Sequence, residues 1–404
     1  MRPFNRSTER RLSPVLERLL GQECGPDSSI SFKELTQAVS TLSRLFTIDR
    51  TSLPDHYLDD PLLAAAYRAY FMPVNLAKIQ GLLDELPDAS GQESDPLKPM
   101  TILDCGGGPG TGALASLDWM AARGNCGVRV LSVDRLQTAG RDARRLWEVY
   151  SQSTEARSST LQVYEADLER SCKGPVWNRI QDAAPYDVII MANCLNELFR
   201  ECDDPLARRV ALVAETLHLL HQSGTVMIVE PALRTLTRDL HRLRDELLRQ
   251  GACTVYSPCL HEQACPALVR ADDWCHEERP WVPPAWIQTI DREVGFIKDA
   301  LKFSYLLLRK DGRTLVQRKP DVFRVVSELR ELKGEKRAWL CNELGRSEVG
   351  RLDRKVSPEN AMLDDWHRGA IVQVERIIRR ERDGKRSTVG RIEEGTDVRI
   401  LRSI

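Results

Sequence analysis

The stretch TILDCGGGPGTGALASLDW, residues 101–119, constrains the fold more than any other part of the chain. A short apolar run ends at Asp104, glycines follow at 106, 108 and 110, and a helical pattern then begins. Glycines there permit a tight turn and let the backbone approach a ligand without a Cβ in the way. The helix that follows opens with N–H groups that have no partner inside it. The neighbouring sequence supplies the strands that such a loop needs. VRVLSVD (128–134), LQVYEAD (161–167), YDVIIMAN (186–193), GTVMIVEP (224–231) and FSYLLLRKDG (303–312) are short apolar runs, with helical patterns near 137–150 and 205–221 between them. They show little polar alternation, as expected of strands buried on both faces. The expected fold is α/β, a doubly wound parallel sheet.

The glycine spacing departs from the Gly-x-Gly-x-x-Gly of dinucleotide enzymes, although NAD remains a rival ligand. Asp134 closes the second run, where it can accept from ribose hydroxyls, and Asp167 closes the third, where an adenine amino group can be read. Asp104, Gly106, Gly108, Gly110, Asp134 and Asp167 therefore form the candidate cofactor-binding set. The fourth run is followed by Asn193-Cys-Leu-Asn196-Glu197. Asn193, Asn196 and Glu197 are the candidate catalytic or substrate contacts, with helix capping by Asn as the competing role. Cys194 follows Asn and is not read as a nucleophile.

At 404 residues the chain has room for two or three domains. Its 42% hydrophobic and 29% charged content excludes intrinsic disorder as its general state. No apolar run reaches the length of a membrane span. The N-terminal MRPFNRSTERRLSPVLERLLG is Arg-rich like a mitochondrial presequence, but Glu9 and Glu17 interrupt it, and it reads as an amphipathic helix. The expected division is a helical region over 1–96, a domain over 97–312 with a cysteine-rich insertion at 252–285, and a basic β-rich module over 313–404. Polar PDASGQESDPLKP (87–99) serves as the linker. The net charge of −1 is uneven: Asp299–Ile404 carries 25 Lys+Arg against 18 Asp+Glu, or +7, leaving −8 for the rest. A basic C-terminal third, with Arg376, Arg379, Arg380, Arg382, Lys385 and Arg386, points toward a polyanion such as RNA.

CLHEQACPALVRADDWC, residues 259–275, places three cysteines in the pattern C-x5-C-x9-C. With no secretory signal, a reducing compartment is expected, so metal binding or burial is favoured over disulfides. Structural zinc usually takes closer cysteine pairs, whereas iron–sulfur clusters accept irregular spacing, so spacing alone leaves the metal open. Cys341, His261, His276 and Cys253 are the candidates for a fourth ligand.

Asp104-Cys-Gly106-Gly-Gly108-Pro-Gly110 resembles the S-adenosylmethionine (SAM) loop of class I methyltransferases. Together with MANCLNEL (191–198), SPCLHEQACPALVRADDWCHEERPW (257–281), FSYLLLRK (303–310), LCNELGRSEVGRL (340–352) and AAAYRAYFMPVNLAKI (64–79), it makes most of the chain similar to the methyltransferase-like family of mitochondrial small-ribosomal-subunit proteins and their bacterial homologues, the Rsm-type assembly factors. Many relatives have Leu and Ala where this loop has Cys105 and Gly107, and the Asn/Asp-Pro-Pro-Tyr of many amine methyltransferases is absent after the fourth run. The resemblance implies a Rossmann-like sheet of seven strands, the last antiparallel, and SAM as cofactor. It also implies a [4Fe–4S] cluster on Cys259, Cys265, Cys275 and Cys341, with zinc as the alternative. The implied partner is the ribosomal small subunit and its rRNA, either as methylation substrate or in assembly without turnover. Off the ribosome the protein is expected to be a monomer with no membrane partner, in a bacterial cytoplasm or alternatively the mitochondrial matrix.

Overall fold

The computed structural model describes residues 9–25, 28–87, 98–124, 127–154, 158–170, 173–379, 381–382, 385–386 and 388–403. The chain falls into two compact units, the larger holding Glu9–Leu233 and Pro280–Leu301, the smaller Arg234–Arg279 and Lys302–Ile404. These units cut across the linear segments 1–96, 97–312 and 313–404. Most of the expected linker, residues 88–97, lies outside the described residues, as do 1–8 of the N-terminal segment and Arg380 of the basic tail. No helix among the described residues is long and apolar enough to cross a membrane.

The larger unit begins with helices α1 (Pro14–Gly21), α2 (Phe32–Thr47), α3 (Pro61–Ala66) and α4 (Met72–Leu83). Ser31 and Glu34 form a capping box at the start of α2, and Asp60 caps α3 through the N–H groups of Leu62 and Leu63. A π-helical turn, Tyr67–Phe71, joins α3 to α4. Pro73 has no N–H for the Ala69 carbonyl four residues back, and Trp286 Nε1 takes it instead at 2.8 Å. The helices meet the sheet through Asp118 of α5 (Thr111–Ala121), a buried carboxylate that accepts from Ser13, from Gln80 at 2.7 Å and from Tyr150 at 2.7 Å.

Strands β1 (Met100–Cys105), β2 (Val128–Asp134), β3 (Thr160–Glu165), β4 (Tyr186–Ala192) and β5 (Leu220–Pro231) lie in the order 3-2-1-4-5. Every pairing among them is parallel. Helices α6 (Gln137–Gln152), α7 (Pro175–Asp182) and α8 (Pro205–His218) supply the crossovers together with α5. This is the expected α/β parallel sheet. With β1 between β2 and β4, the strand order reverses there, so a crevice opens beyond the C-terminal ends of the strands. Two strand ends differ from the sequence reading. β4 stops at Ala192 because Asn193 adopts a left-handed φ of +59°. β3 stops at Glu165, so Asp167 sits in the following turn, where its Oδ1 accepts from the Glu169 N–H at 2.9 Å.

In the smaller unit, helix α9 (Arg234–Arg249) precedes β6 (Thr254–Ser257), β7 (Glu277–Pro280) and β8 (Ala300–Arg309), and β6 pairs antiparallel with β8. The expected irregular stretch between β6 and β7 contains only a short 3-10 turn at Pro266–Leu268. Next come β9 (Val322–Val325), β10 (Arg330–Leu332), β11 (Glu335–Asn342), β12 (Gly345–Leu352), β13 (Ile371–Val374), β14 (Glu381–Arg382), β15 (Lys385–Arg386), β16 (Val389–Arg391) and β17 (Val398–Arg402). Their main sheet runs β16-β12-β11-β9-β13-β17, with β10 beside β11. The period of two decides its faces. Ala338 and Leu340 of β11 join Val325, Val349, Val372 and Trp366 in the core. Cys341 therefore points to the other face, where its cross-strand partners are Arg346 and Arg324.

Candidate functional site

Beyond β1 the chain turns through Gly106 (φ +69°), Gly108 (φ +52°) and Gly110 (φ +91°), values that side chains other than glycine rarely adopt. A Cβ on Gly107 would lie 2.1 Å from Ser132 Oγ, and one on Gly112 would lie 2.6 Å from Asp104 Oδ1. Gly108 differs, since a Cβ there meets nothing within 4 Å, so it borders open space. Its N–H donates to Asp134 Oδ2 at 2.8 Å while the Leu136 N–H donates to Oδ1 at 2.9 Å. Two backbone donors thus orient the carboxylate, and its remaining lone pairs are available to a diol.

Asp104 is 2% exposed, and its Oδ2 has no hydrogen-bond partner among the described residues. Burial, aided by the charge of Asp134 and opposed by a bond from the Ala113 N–H, pushes its carboxyl up to about 7. An orphaned buried carboxylate oxygen beside a glycine cradle, with a diol acceptor across it, fits a ligand that carries a ribose and a positive charge. SAM has both.

Asp104 also makes a pH prediction. Its proton is held more tightly in the folded state, so this contribution is fully present below the unfolded carboxyl range near 4 and is lost as pH rises through about 7. Asp104→Asn has no proton to lose. Urea unfolding should show the variant gaining on wild type, on the order of 1 kcal/mol, between about pH 5 and pH 8. A constant difference across that range would refute the assignment.

The sequence candidates after β4 are brought against this loop. Cys194 Sγ donates to the Cys105 carbonyl at 3.2 Å, and a Cβ on Gly106 would come within 2.6 Å of Cys194 Cβ. The Asn196 N–H donates to Glu230 Oε1 at 3.2 Å, and Asn196 Nδ2 donates to the Asn193 carbonyl at 3.0 Å. Arg50 donates to Asn196 Oδ1. Arg200 Nε and Arg209 Nη2 both donate to the Asn196 carbonyl at 3.3 Å. Burial pushes Glu197 up, countered by Arg200, Arg135 and Arg50. It also pushes Glu230 up to about 7, against the hydrogen bonds of Asn196.

Glu230, Arg50, Arg200 and Arg209 were not singled out in the sequence. Glu230 alone left a local signal, an acid at the end of an apolar run. The N-terminal helices add an aromatic wall. Phe46 packs on Tyr57 at 5.5 Å and on Phe71 at 5.1 Å between ring centroids. Burial pushes the Tyr57 and Tyr67 phenols up, and the charges of Glu197 and Asp134 add to it.

The cysteines gather in the smaller unit. Helix α9 shapes their loop by giving its backbone partners from one face. Arg238 donates to the carbonyls of Ala267 (2.9 Å), Arg270 (2.7 Å) and Asp273 (2.7 Å). The fully buried Arg244 donates to those of Gln263 (2.8 Å) and His261 (2.5 Å), and Asp245 accepts from the Cys265 N–H at 2.9 Å. His241 Nε2 lies 3.1 Å from the Cys275 carbonyl.

Burial and neighbouring groups shift three of these thiols. Burial first, then the charges of Cys259 and Cys275, push Cys265 far up, and burial with Cys275 and Cys259 does the same to Cys341. Burial pushes Cys275 up to about 11, with Arg346, Arg324 and Arg368 pulling the other way. Of the four candidates for a fourth ligand, Cys341 is the one tied to Cys275 and Cys259, and His261 Nε2 lies 3.6 Å from its sulfur. His276 is turned to Glu278 at 2.9 Å, and burial and Glu262 push Cys253 up to about 12. The arginines near Cys275 and Cys341 would offset the charge of a thiolate-bound centre, although burial outweighs them in the free thiols. The geometry is less committed, because among the described residues no three His, Cys, Asp or Glu side chains converge as the ligands of one metal ion would.

Solved structures of methyltransferases are similar to this chain at a distance. A human methyltransferase 10 domain-containing protein shows 13% identity over 70% of this chain and 99% of its own, with a TM-score of 0.36. The delta-N METTL16 methyltransferase domain shows 14% identity over 70% and 98%, with a TM-score of 0.36. Magnesium protoporphyrin IX methyltransferase from Synechocystis PCC 6803, solved with bound SAM, shows 12% over 67% and 97%, with a TM-score of 0.33. Nothing in the functional reading rests on likenesses this distant. No curated protein sequence matches significantly. The family model described as mitochondrial small ribosomal subunit Rsm22 matches residues 61–354, from the N-terminal helices through the donor loop and all four cysteines to β12, and the chain belongs to that family.

Proposed function

We propose that this protein binds SAM in the larger unit and acts on the small ribosomal subunit, as an rRNA methyltransferase, an assembly factor, or both. The observation that carries the donor site is the pairing of the orphaned Asp104 carboxylate with the open space at Gly108. Asp134 would hold the ribose hydroxyls, the loop Gly106–Gly110 would carry the backbone against the ligand, and Asp167 would read the adenine edge. The bound cofactor supplies an already electrophilic methyl group, so positioning of the acceptor can supply much of the catalysis. Asn193, Asn196 and Glu197 would do that positioning. The family's description supports the small subunit as partner and the mitochondrial matrix, rather than a bacterial cytoplasm, as compartment. Off the ribosome the protein would act as a monomer.

Titration calorimetry with SAM tests the site, and labelled SAM with immature small subunits tests transfer. A second reading, binding without turnover, is favoured by the engagement of Asn196: its side-chain oxygen already accepts from Arg50 and its Nδ2 donates to the Asn193 carbonyl, which leaves that oxygen one acceptor lone pair. Tight SAM binding with no label in rRNA would select that reading.

We further propose a [4Fe–4S] cluster on Cys259, Cys265, Cys275 and Cys341, with zinc as the alternative. The arginines around the thiols support it, since they offset the charge of a thiolate-bound cluster. The cluster would tie β11 to the cysteine loop. Protein purified without oxygen should contain iron and sulfide in equal amounts, and Cys341→Ser should lose at least half of both. Stoichiometric zinc in place of iron would reject the cluster.

A further inference from the structure

We propose that Arg50 and Arg200, backed by Arg209, form a phosphate-binding site at the acceptor side of the donor pocket, and that its ligand is a phosphodiester of single-stranded RNA. The proposal rests on the donor-pocket reading and names the class of molecule that enters there.

Three guanidinium groups from three different parts of the chain converge on one residue. Arg50 donates to the Asn196 side-chain oxygen, while Arg200 and Arg209 share its carbonyl at 3.3 Å each. Arg200 Nη1 also donates to the Arg50 carbonyl at 3.3 Å, which locks the first two side by side. These bonds go to uncharged oxygens, and among the described residues neither Arg50 nor Arg200 lies within salt-bridge distance of a carboxylate. The acids facing them, Glu197 and Glu230, are raised by burial while these arginines pull them back. Three positive groups therefore stand close together beside two buried acids. Burial, then the neighbouring Arg200, draw Arg50 below its ordinary range. An anion placed across the pair would relieve that repulsion, and the planar fork of a guanidinium matches phosphate geometry.

The location narrows the anion. Asn196 is two residues from Cys194, which packs on the donor loop at Gly106. Tyr57, seven residues after Arg50, belongs to an aromatic cluster with Phe46 and Tyr67. A charged site for phosphate with an aromatic cluster in the same stretch of chain suits a nucleotide, whose base stacks on such rings.

The test uses the full chain and a labelled single-stranded RNA of about 12 nucleotides, within the site sizes of single-strand binders. Arg50→Gln and Arg200→Gln should each weaken RNA binding about tenfold, the loss of one charge-assisted contact. The slope of log affinity against log salt should become shallower by about one. Arg50→Lys keeps the charge and should keep the slope with only a few-fold loss, which covers the case in which a glutamine variant fails to fold. SAM affinity, measured by calorimetry, should stay within about twofold of wild type.

An unchanged RNA affinity and salt slope in the folded double glutamine variant would overturn the proposal. So would a loss of SAM affinity with RNA binding intact, which would assign the arginines to the carboxylate of the methyl donor. If wild type binds RNA in this arginine-dependent way but gives no heat with SAM, the donor-site reading fails and the phosphate site stands.

Discussion

Arg324→Met is expected to destabilise the smaller unit by about 3–5 kcal/mol, the cost of leaving a buried charge without its partner. Arg324 is 5% exposed and Glu277, its ion-pair partner, is 3% exposed. The guanidinium also donates to the Tyr305 hydroxyl at 3.1 Å and to the Pro258 carbonyl at 3.4 Å. Burial alone would raise the Glu277 carboxyl, but Arg324 and Arg279 outweigh it and hold the group below its ordinary range. Its contribution to stability is therefore present above the unfolded Glu value near 4.3 and is lost as pH falls through the folded value. In Arg324→Met the carboxylate has lost its main partner, so the gap between the proteins should narrow in acid. Urea unfolding near pH 7 and near pH 3 checks both statements. A variant as stable as wild type at neutral pH would show that the pair carries no net stability.

The sequence revealed much of the larger unit because its signals are local. An apolar run with little polar alternation is a buried strand wherever it occurs, and glycines at 106, 108 and 110 identify their loop because only they tolerate its backbone. The boundaries were less legible: the end of β4 depends on Asn193 turning left-handed, and β9 is four residues that only their neighbours make a strand. The arginines on Asn196 were not legible. Arg50 stands 146 residues before its partner, and nothing in RTS at 50–52 distinguishes it from a solvated surface. Helix α9 shows the same limit, since its charged residues look solvent-facing until the cysteine loop folds back onto Arg238, Arg244 and Asp245.

The second large effect is expected from Gly106→Ala. Gly106 holds φ at +69°, a conformation that costs roughly 1 kcal/mol or more for other residues. Its added Cβ would also stand 2.6 Å from Cys194 Cβ, an atom fixed to the backbone rather than the far end of a flexible chain. Either the glycine loop, which carries the proposed donor site, or the segment after β4 has to retreat. We expect SAM affinity to fall by at least tenfold, about 1.4 kcal/mol, with a lowered melting temperature. Gly108→Ala should lower SAM affinity with a smaller loss of stability, since its left-handed φ of +52° costs roughly 1 kcal/mol but its Cβ would meet nothing within 4 Å. Calorimetry and thermal unfolding of the two variants separate a crowded loop from an obstructed ligand. Equal losses of stability would refute the distinction.

The smaller unit is assembled from two stretches of chain, 234–279 and 302–404, while the residues between them belong to the larger one. During synthesis Cys259, Cys265 and Cys275 leave the ribosome first, and Cys341 follows 66 residues after Cys275. At 5–20 residues per second that interval lasts roughly 3–13 s. Through it the three early thiols have neither β11 nor Arg346 beside them. A ligand shared by all four cysteines would therefore be completed only on a chain whose larger unit has already been fully synthesised.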